Sequence, residues 1–211
     1  VTPTERVFCR AADGSDPQRT ASQIVIATAA PGDTLGTLSL YEPTWRGWQP
    51  TFGPVPAVFG RSGIAPAGAK REGDGRTPSG WYALTECFGY DDTIATGLRY
   101  VQVTDSDIWI DDVNHPDYNR WVQLPTTAAS FEYLHRRDVL YRYAIVVDYN
   151  RDPVVAGNGS AIFIHIRRAD GRPTAGCIAL AETDLLQLLR RLRPSPDPHL
   201  RPQVFIESTP E

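Results

Sequence analysis

The sequence predicts a mainly β protein with one amphipathic helix near its C-terminal end. Short apolar or alternating segments rich in Val, Ile, Tyr and Phe recur between Gly, Pro and Asp residues along most of the 211-residue chain. One segment, 181–194, instead places leucines at helical spacing. We therefore expect a β-sandwich or barrel-like arrangement of mixed sheets, with the helix packed against one of them.

Eight segments have the composition and bounding turns of strands. In chain order they are SQIVIATA (22–29), GTLSLYE (36–42), VPAVFG (55–60), GWYALTEC (80–87), RYVQVT (99–104), YRYAIVVDY (141–149), SAIFIHI (160–166) and QVFIE (203–207). The helix has acids in its first turn, arginines in its last, and Pro194 after it. Its apolar face consists of Leu185, Leu188, Leu189 and Leu192. A second, short helix is expected at 130–138.

Composition indicates one ordinary globular domain, 1–211, with 41% hydrophobic and 22% charged residues. The net charge of −4 gives no general attraction to nucleic acid or to anionic lipid surfaces. The longest apolar runs fall well short of the ~20 residues that a membrane-spanning helix needs. The chain contains no methionine, so we expect Val1 to follow a removed segment such as an export signal.

Three cysteines are present, Cys9, Cys87 and Cys177. In an oxidising compartment an odd number suggests one disulfide and one free thiol. We predict a Cys9–Cys87 disulfide, because both residues resemble strand ends, and a free Cys177. The count is equally compatible with three buried, reduced thiols in a cytosolic protein.

The stretch FIHIRRADGRPTAGC (163–177) contains a candidate catalytic pair. Strand alternation puts Ala161, Phe163 and His165 on one face, and the following loop can return Cys177 to their side. His165 could then act as the base that activates the thiol, while backbone N–H groups near Gly176 and Cys177 stabilise an oxyanion. The alternative is that the histidine and the cysteine are simply packed residues.

Four blocks, in order, resemble the L,D-transpeptidase catalytic domain (YkuD-like) family. They are KREGDGRTPSGWYALTECFGY (70–90), DDVNHPDYN (111–119), YRYAIVVDYN (141–150) and GNGSAIFIHIRRADGRPTAGCIALAETDLLQLLRRL (157–192). The resemblance spans about residues 24–207. It implies a β fold of this family and a cysteine acyltransferase.

The resemblance makes Cys177 the nucleophile and His165 its base, and it aligns Thr174 and Gly176 with the family signature before the cysteine. The usual substrates are peptidoglycan stem peptides. The cysteine attacks the bond between an L-centre and a D-residue, releases D-alanine and passes the acyl group to an amine. This chain departs from many members by carrying apolar residues where they have polar ones, at Ala175, Ile178, Ala179 and Leu180.

Stem peptides carry free carboxylates, which planar guanidinium groups bind well. Arg167, Arg168 and Arg172 flank the expected site, and a solvated loop charge is the preferred interpretation of each. Among them Arg172 is the preferred binder and Arg167 a further candidate. Tyr118 and Asn119 are expected to line the cleft. Five acids between positions 105 and 117 could bind an acceptor amine or a cation, but a solvated turn is the preferred interpretation: Asp105, Asp107, Asp111, Asp112 and Asp117. We expect neither a metal nor a cofactor.

The function expected from the resemblance is L,D-transpeptidation through a Cys177 acyl-enzyme, by a secreted or cell-envelope protein. Peptidoglycan peptides are the expected partners, carbapenem-type inhibitors are possible ligands, and the protein is expected to be a monomer. Two alternatives stay open. The same dyad serves a hydrolytic L,D-carboxypeptidase or amidase if water is the acceptor, and a non-catalytic wall-binding domain would retain only the fold.

Overall fold

The computed structural model describes residues 20–195, 197 and 199–209. Within these residues the strands are β1 (Ala21–Ala29), β2 (Leu35–Thr44), β3 (Gly47–Val58), β4 (Gly80–Ala83), β5 (Glu86–Gly89), β6 (Arg99–Gln102), β7 (Asp107–Ile110), β8 (Trp121–Gln123), β9 (Phe131–Tyr133), β10 (Tyr143–Val146), β11 (Phe163–Ile166), β12 (Ile178–Leu180) and β13 (Arg201–Ser208). Helix α1 (Glu182–Arg191) lies between β12 and β13. None of the helical structure described is long and apolar enough to span a membrane.

The strands form two sheets. The large sheet has ten strands in the order β4-β13-β1-β2-β3-β12-β11-β10-β5-β6. It is mixed, since β1 and β13, β11 and β12, and β5 and β6 pair in parallel while the other neighbours are antiparallel. The small sheet has three antiparallel strands in the order β8-β7-β9.

The large sheet curls until its two ends approach each other. Strand β4 is at one end of the strand order and β5 is next to last at the other end, yet only Leu84 and Thr85 connect them. So short a connection spans about 11 Å at most, little more than two strand spacings. The backbone N–H of Asp148, just after β10, also donates a hydrogen bond of 3.0 Å to the carbonyl oxygen of Ala83 in β4. The arrangement is therefore barrel-like.

Helix α1 fills the interior of this curled sheet. Its buried leucines belong to the same core cluster as Ile162, Ile164 and Ile166, and the helix contacts β10 and β11. Acids in its first turn and arginines in its last complement the helix dipole. Burial of one leucine face, worth about 2 kcal/mol for each side chain, anchors the helix behind β11.

The opposite face of β11 packs against the small sheet through aromatic rings. The Phe163 ring lies 5.1 Å from Trp109 of β7, 5.3 Å from Phe88 of β5 and 5.5 Å from Tyr141, with all three pairs edge to face. Such pairs favour one relative orientation beyond the area that they bury. The contact fixes the small sheet over the face of β11 that carries Phe163 and His165.

The predicted fold class is confirmed: the described chain is mainly β, with a mixed sheet and one packed helix near the C-terminal end. The segment predicted as one strand at 80–87 forms two, β4 and β5, because the chain passes there from one end of the curled sheet to the other. The prediction of a short helix at 130–138 was wrong. Pairing of Phe131–Tyr133 with β7 overrides the helix propensity of the surrounding residues.

The cysteines differ in what the structure shows of them. Cys87 is a free thiol, completely buried in β5, and no disulfide is found in the described part of the chain. Cys9, predicted to pair with it, lies outside the described residues. Cys177 is also a free thiol, as expected.

Candidate active site

Cys177 and His165 lie on the same face of two neighbouring parallel strands. Ile164 pairs with Ile178 and His165 with Ala179, so Cys177, one residue before β12, lies beside Phe163. Paired residues project to the same side of a sheet, which makes the cysteine and the histidine diagonal neighbours. The strand alternation predicted from 160–166 is thus observed, and the loop between the strands returns the thiol to the face of the imidazole.

The orientation of the His165 ring is fixed by two contacts. Its Nδ1 lies 2.8 Å from the carbonyl oxygen of Ile166, and the ring packs edge-on against Tyr141 at a centroid distance of 5.2 Å. A carbonyl oxygen only accepts hydrogen bonds, so Nδ1 carries the proton. Nε2 therefore holds the free lone pair and is the basic atom of the ring.

The Cys177 side chain is held by the backbone of the segment that leads into β11. Its Sγ accepts a hydrogen bond from the N–H of Phe163 at 3.3 Å and donates one to the carbonyl oxygen of Ala161 at 3.2 Å. Ala161 has a positive φ of 53°, uncommon for a residue with a side chain. That conformation aims its carbonyl at the thiol.

Burial keeps both side chains neutral at rest. It lowers the pKa of His165 from 6.5 to about 4, although the contact with Ile166 opposes the change. Burial likewise raises the pKa of the Cys177 thiol from 9.0 to about 12, and the charge of Glu132 adds to this rise. The resting pair is therefore a thiol and a neutral imidazole, because removal of water disfavours both charged forms. A neutral imidazole beside a neutral thiol can still remove its proton as the sulfur attacks.

Thr174 and Gly176 shape the turn that presents Cys177. The Thr174 hydroxyl donates to the carbonyl oxygen of Cys177 at 2.6 Å and accepts from the N–H of Gly176 at 3.1 Å. The Gly176 N–H, expected to help stabilise an oxyanion, is thus already engaged in the resting structure. A side chain at Gly176 would start 3.0 Å from the carbonyl oxygen of Arg76, so the turn packs tightly against that neighbouring loop.

The two candidate catalytic residues line a cavity of about 440 Å³ between the large sheet and the small sheet, here called the catalytic cavity. Its size is typical of a small-molecule site. The charged residues of its wall carry both signs: Arg61, Lys70, Arg136, Arg168 and Arg172 are cationic, and Glu72, Asp111 and Glu132 are acidic. Two of these, Lys70 and Glu72, belong to the block 70–90 that resembles the family.

The two arginines proposed as substrate binders lie in different places. Arg172 is exposed on the rim of the catalytic cavity, where its Nε donates to Asp170 at 2.7 Å. Arg167 is exposed just after β11 and is not part of the cavity wall; the next residue, Arg168, is. Strand β11 ends at Ile166. The alternation of side chains along the strand therefore does not decide whether Arg167 or Arg168 faces the cavity.

Tyr118 and Asn119 lie behind the cavity wall. Tyr118 is 2% exposed and its hydroxyl hydrogen-bonds to Glu72 and to the N–H of Gly159. The Asn119 amide accepts from the N–H of Ala161 at 3.1 Å and from Trp109 at 2.9 Å. These two residues hold in place the segment that carries the Ala161 carbonyl.

Sequence reasoning missed Tyr141 and Glu132. The Tyr141 ring contacts His165, and its hydroxyl donates to a carboxylate oxygen of Glu132 at 2.7 Å. Only the presence of Tyr141 in a block shared with the family hinted at its position. In the described residues there is no group of three or more His, Cys, Asp or Glu side chains that could hold a metal ion.

These features define a class: a mainly β protein with a buried cysteine–histidine pair in a charged cavity between two sheets. The family model of the L,D-transpeptidase catalytic domain, YkuD, matches residues 37–206, and the protein belongs to this family. Membership indicates an enzyme domain of the L,D-transpeptidase catalytic type.

No curated protein matches the chain. Among solved structures, the chain is similar to the helical cell shape determining protein Pgp2 from Campylobacter jejuni and to a point mutant of it. Each shares 18% sequence identity with this chain, at a TM-score of 0.43. The match covers 90% of this chain and 49% of the other chain. The chain therefore spans about half the length of these proteins.

Proposed function

We propose that the protein is an extracytoplasmic cysteine acyltransferase that carries out L,D-transpeptidation on peptidoglycan stem peptides. The observation that supports this most directly is the shared position of Cys177 and His165 on one face of β11 and β12, inside the catalytic cavity. Family membership supplies the reaction class. The location outside the cytoplasm follows from where peptidoglycan lies.

The first half of the reaction forms the acyl-enzyme. The lone pair on His165 Nε2 takes the thiol proton as Cys177 Sγ attacks the carbonyl carbon of the donor peptide. The tetrahedral intermediate then collapses, the carbon–nitrogen bond breaks, and the imidazolium returns the proton to the departing amine of D-alanine. A thioester on Cys177 and neutral His165 remain. Because the ring starts neutral, no proton has to be lost to solvent before the attack.

Cations on the cavity wall suit the carboxylates of such a donor. Arg168 and Arg172 belong to the loop between β11 and β12, and both line the cavity. A guanidinium group binds a carboxylate through two parallel hydrogen bonds. Arg172 must exchange its present partner, Asp170, for the substrate, and since both are exposed that exchange costs little.

The experiment that tests this function is acylation by a carbapenem, a stable mimic of the acyl donor, followed by peptide mapping. The expected result is one adduct on Cys177, lost in Cys177→Ala and slowed at least a hundredfold in His165→Ala. Cys87→Ala is the matched control, because this second buried thiol lies outside the cavity wall, and it keeps the adduct. Absence of an adduct on folded, reduced protein refutes the proposal.

Digestion of isolated peptidoglycan with the protein then identifies the products. Cross-linked or exchanged peptides indicate transfer to an amine, whereas shortened peptides alone indicate hydrolysis. Binding to the wall without products or thiol reactivity indicates the non-catalytic alternative.

A further inference from the structure

Glu132 is a partly buried acid in the wall of the catalytic cavity, and the cysteine–histidine reaction described above does not use it. It lies in β9 of the small sheet, opposite Trp109 of β7, and it lines the catalytic cavity. Tyr141 connects it to the reacting atoms, since the hydroxyl donates to Glu132 and the ring packs on His165. The carboxylate is thus held in a defined place next to the dyad.

The charge of Glu132 opposes the first half of the reaction. It raises the pKa of the Cys177 thiol and so disfavours the sulfur anion that attacks the donor. Glu132 also makes no ion pair within the described chain, because the nearby Arg136 directs its Nε and Nη2 to Asp138 at 3.0 and 2.8 Å. A positively charged substrate group that enters the cavity after the thioester has formed would give this acid a partner.

Asp111 supplies a second, independent sign of a missing hydrogen-bond donor. It lies two residues after Trp109 and therefore projects from the same face of the small sheet as Glu132. It lines the same cavity, and its Oδ1 is buried without a hydrogen-bond partner among the described residues. Leaving such an atom unpaired is costly. The ammonium group of a substrate has three N–H donors to offer.

We propose that Glu132, oriented by Tyr141 and assisted by Asp111, binds the ammonium group of the acyl acceptor and thereby selects an amine over water. The inference rests on the proposed acyl transfer and adds to it the residue that chooses the acceptor. Glu132 is a specificity residue in this role, since it contacts the acceptor and not the donor.

The second half of the reaction then balances as follows. Glu132 accepts one proton from the acceptor ammonium, and the free amine nitrogen bonds to the acyl carbon of the thioester. The carbon–sulfur bond breaks as the second amine proton passes through His165 Nε2 to Cys177 Sγ. The new amide leaves, and Glu132 releases its proton to solvent. Burial raises the pKa of Glu132, which makes it a stronger base than an exposed carboxylate.

The test compares wild type with Glu132→Gln, which keeps an oxygen for the Tyr141 hydroxyl and removes the charge. The acyl-enzyme formed from a donor tetrapeptide reacts at pH 7 with either water or an added amine. The ratio of transfer to hydrolysis is measured. One amine is D-alaninamide, mostly protonated at this pH, and the other is hydroxylamine, mostly neutral. Asp33→Asn is the matched control, because Asp33 is exposed on the β1–β2 turn and does not line the catalytic cavity.

We expect the ratio of transfer to hydrolysis with D-alaninamide to fall about tenfold or more in Glu132→Gln, the size expected for loss of one charged contact. The ratio with hydroxylamine should change less than threefold. Acylation by a carbapenem should become faster, since the opposing charge is gone. Asp111→Asn should shift the D-alaninamide ratio in the same direction.

Two outcomes overturn the inference, and they are distinguishable. An unchanged D-alaninamide ratio in a folded, acylated Glu132→Gln protein, or an equal loss with both amines, overturns the role of Glu132 alone. Failure of wild-type protein to form any Cys177 adduct overturns the acyl transfer itself and this inference with it.

Discussion

The carbonyl oxygen of Ala161 accepts a hydrogen bond from the thiol of Cys177 at 3.2 Å. In the resting structure the sulfur is therefore held by the backbone of the segment entering β11. Three features fix the position of that carbonyl group. They are the positive φ of Ala161, the hydrogen bond from its N–H to Asn119, and the hydrogen bonds that Asn119 donates to the loop after β10. The position of the nucleophile thus depends on a residue that never contacts the sulfur.

Replacing Asn119 by Asp should destabilise the protein and slow acylation together. The Asn119 amide nitrogen donates to the carbonyl oxygens of Tyr149 and Asn150 at 3.0 and 2.7 Å. A carboxylate there places a buried charge against two acceptors, so we expect a loss of about 2–4 kcal/mol in the free energy of unfolding. Denaturant unfolding measures the loss, and carbapenem acylation should slow at least tenfold.

Asn114→Asp makes the same chemical change at an exposed position and is the control. If the two variants unfold within about 0.5 kcal/mol of each other, the bracing role assigned to Asn119 is wrong.

His165 should make the fold sensitive to mild acid. Its pKa is lowered by burial from 6.5 to about 4, so the unfolded chain binds a proton more readily than the folded one between these values. This part of the stability is complete above pH 6.5 and is lost as the pH falls toward 4, by about 3 kcal/mol in all. Unfolding free energies of wild type and His165→Gln, measured from pH 7 to 4, should show a shallower slope for the variant.

The exposed His199, changed to Gln, serves as the control and should leave the slope of wild type unaltered. Parallel curves for wild type and His165→Gln would show that the imidazole is not held neutral by the fold.

The part of the site that sequence predicted is the part set by local geometry. Strand alternation placed Phe163 and His165 on one face, and the short loop before Cys177 returned it to that side. Leucine spacing likewise predicted α1, because a 3.6-residue period needs no knowledge of the rest of the chain.

The parts that sequence did not predict depend on distant contacts. Glu132 reaches the cavity only because β9 pairs with β7, where a short helix had been expected. Tyr118 and Asn119 were expected in the cleft, and burial on the far side of the Ala161 segment is visible only once the two sheets are in place. The raised pKa of Cys177 has the same origin, since desolvation follows from packing and not from spacing.

Thr174 should affect the turn before Cys177 through its hydroxyl alone. In Thr174→Val the carbonyl oxygen of Cys177 loses its 2.6 Å donor and the N–H of Gly176 loses its acceptor, with little change in volume. We expect a loss of about 1–2 kcal/mol in unfolding free energy, and acylation at least fivefold slower. Thr174→Ser keeps the hydroxyl and is the matched control. Equal acylation rates in the two variants would remove this role.

Gly176 should tolerate no side chain without a movement of the nucleophile. A Cβ at this position would lie 3.0 Å from the carbonyl oxygen of Arg76 and 3.3 Å from Cδ1 of Ile162, both closer than ordinary contact. The Arg76 carbonyl belongs to the backbone and yields less easily than the end of a side chain. We expect Gly176→Ala to unfold about 1–3 kcal/mol more easily and to acylate at least tenfold more slowly.

Ala175 is exposed next to Gly176, so Ala175→Ser should acylate within twofold of wild type. If Gly176→Ala matches Ala175→Ser in both unfolding free energy and acylation rate, the turn can accommodate a methyl group at position 176. The close packing of this turn would then not determine the position of Cys177.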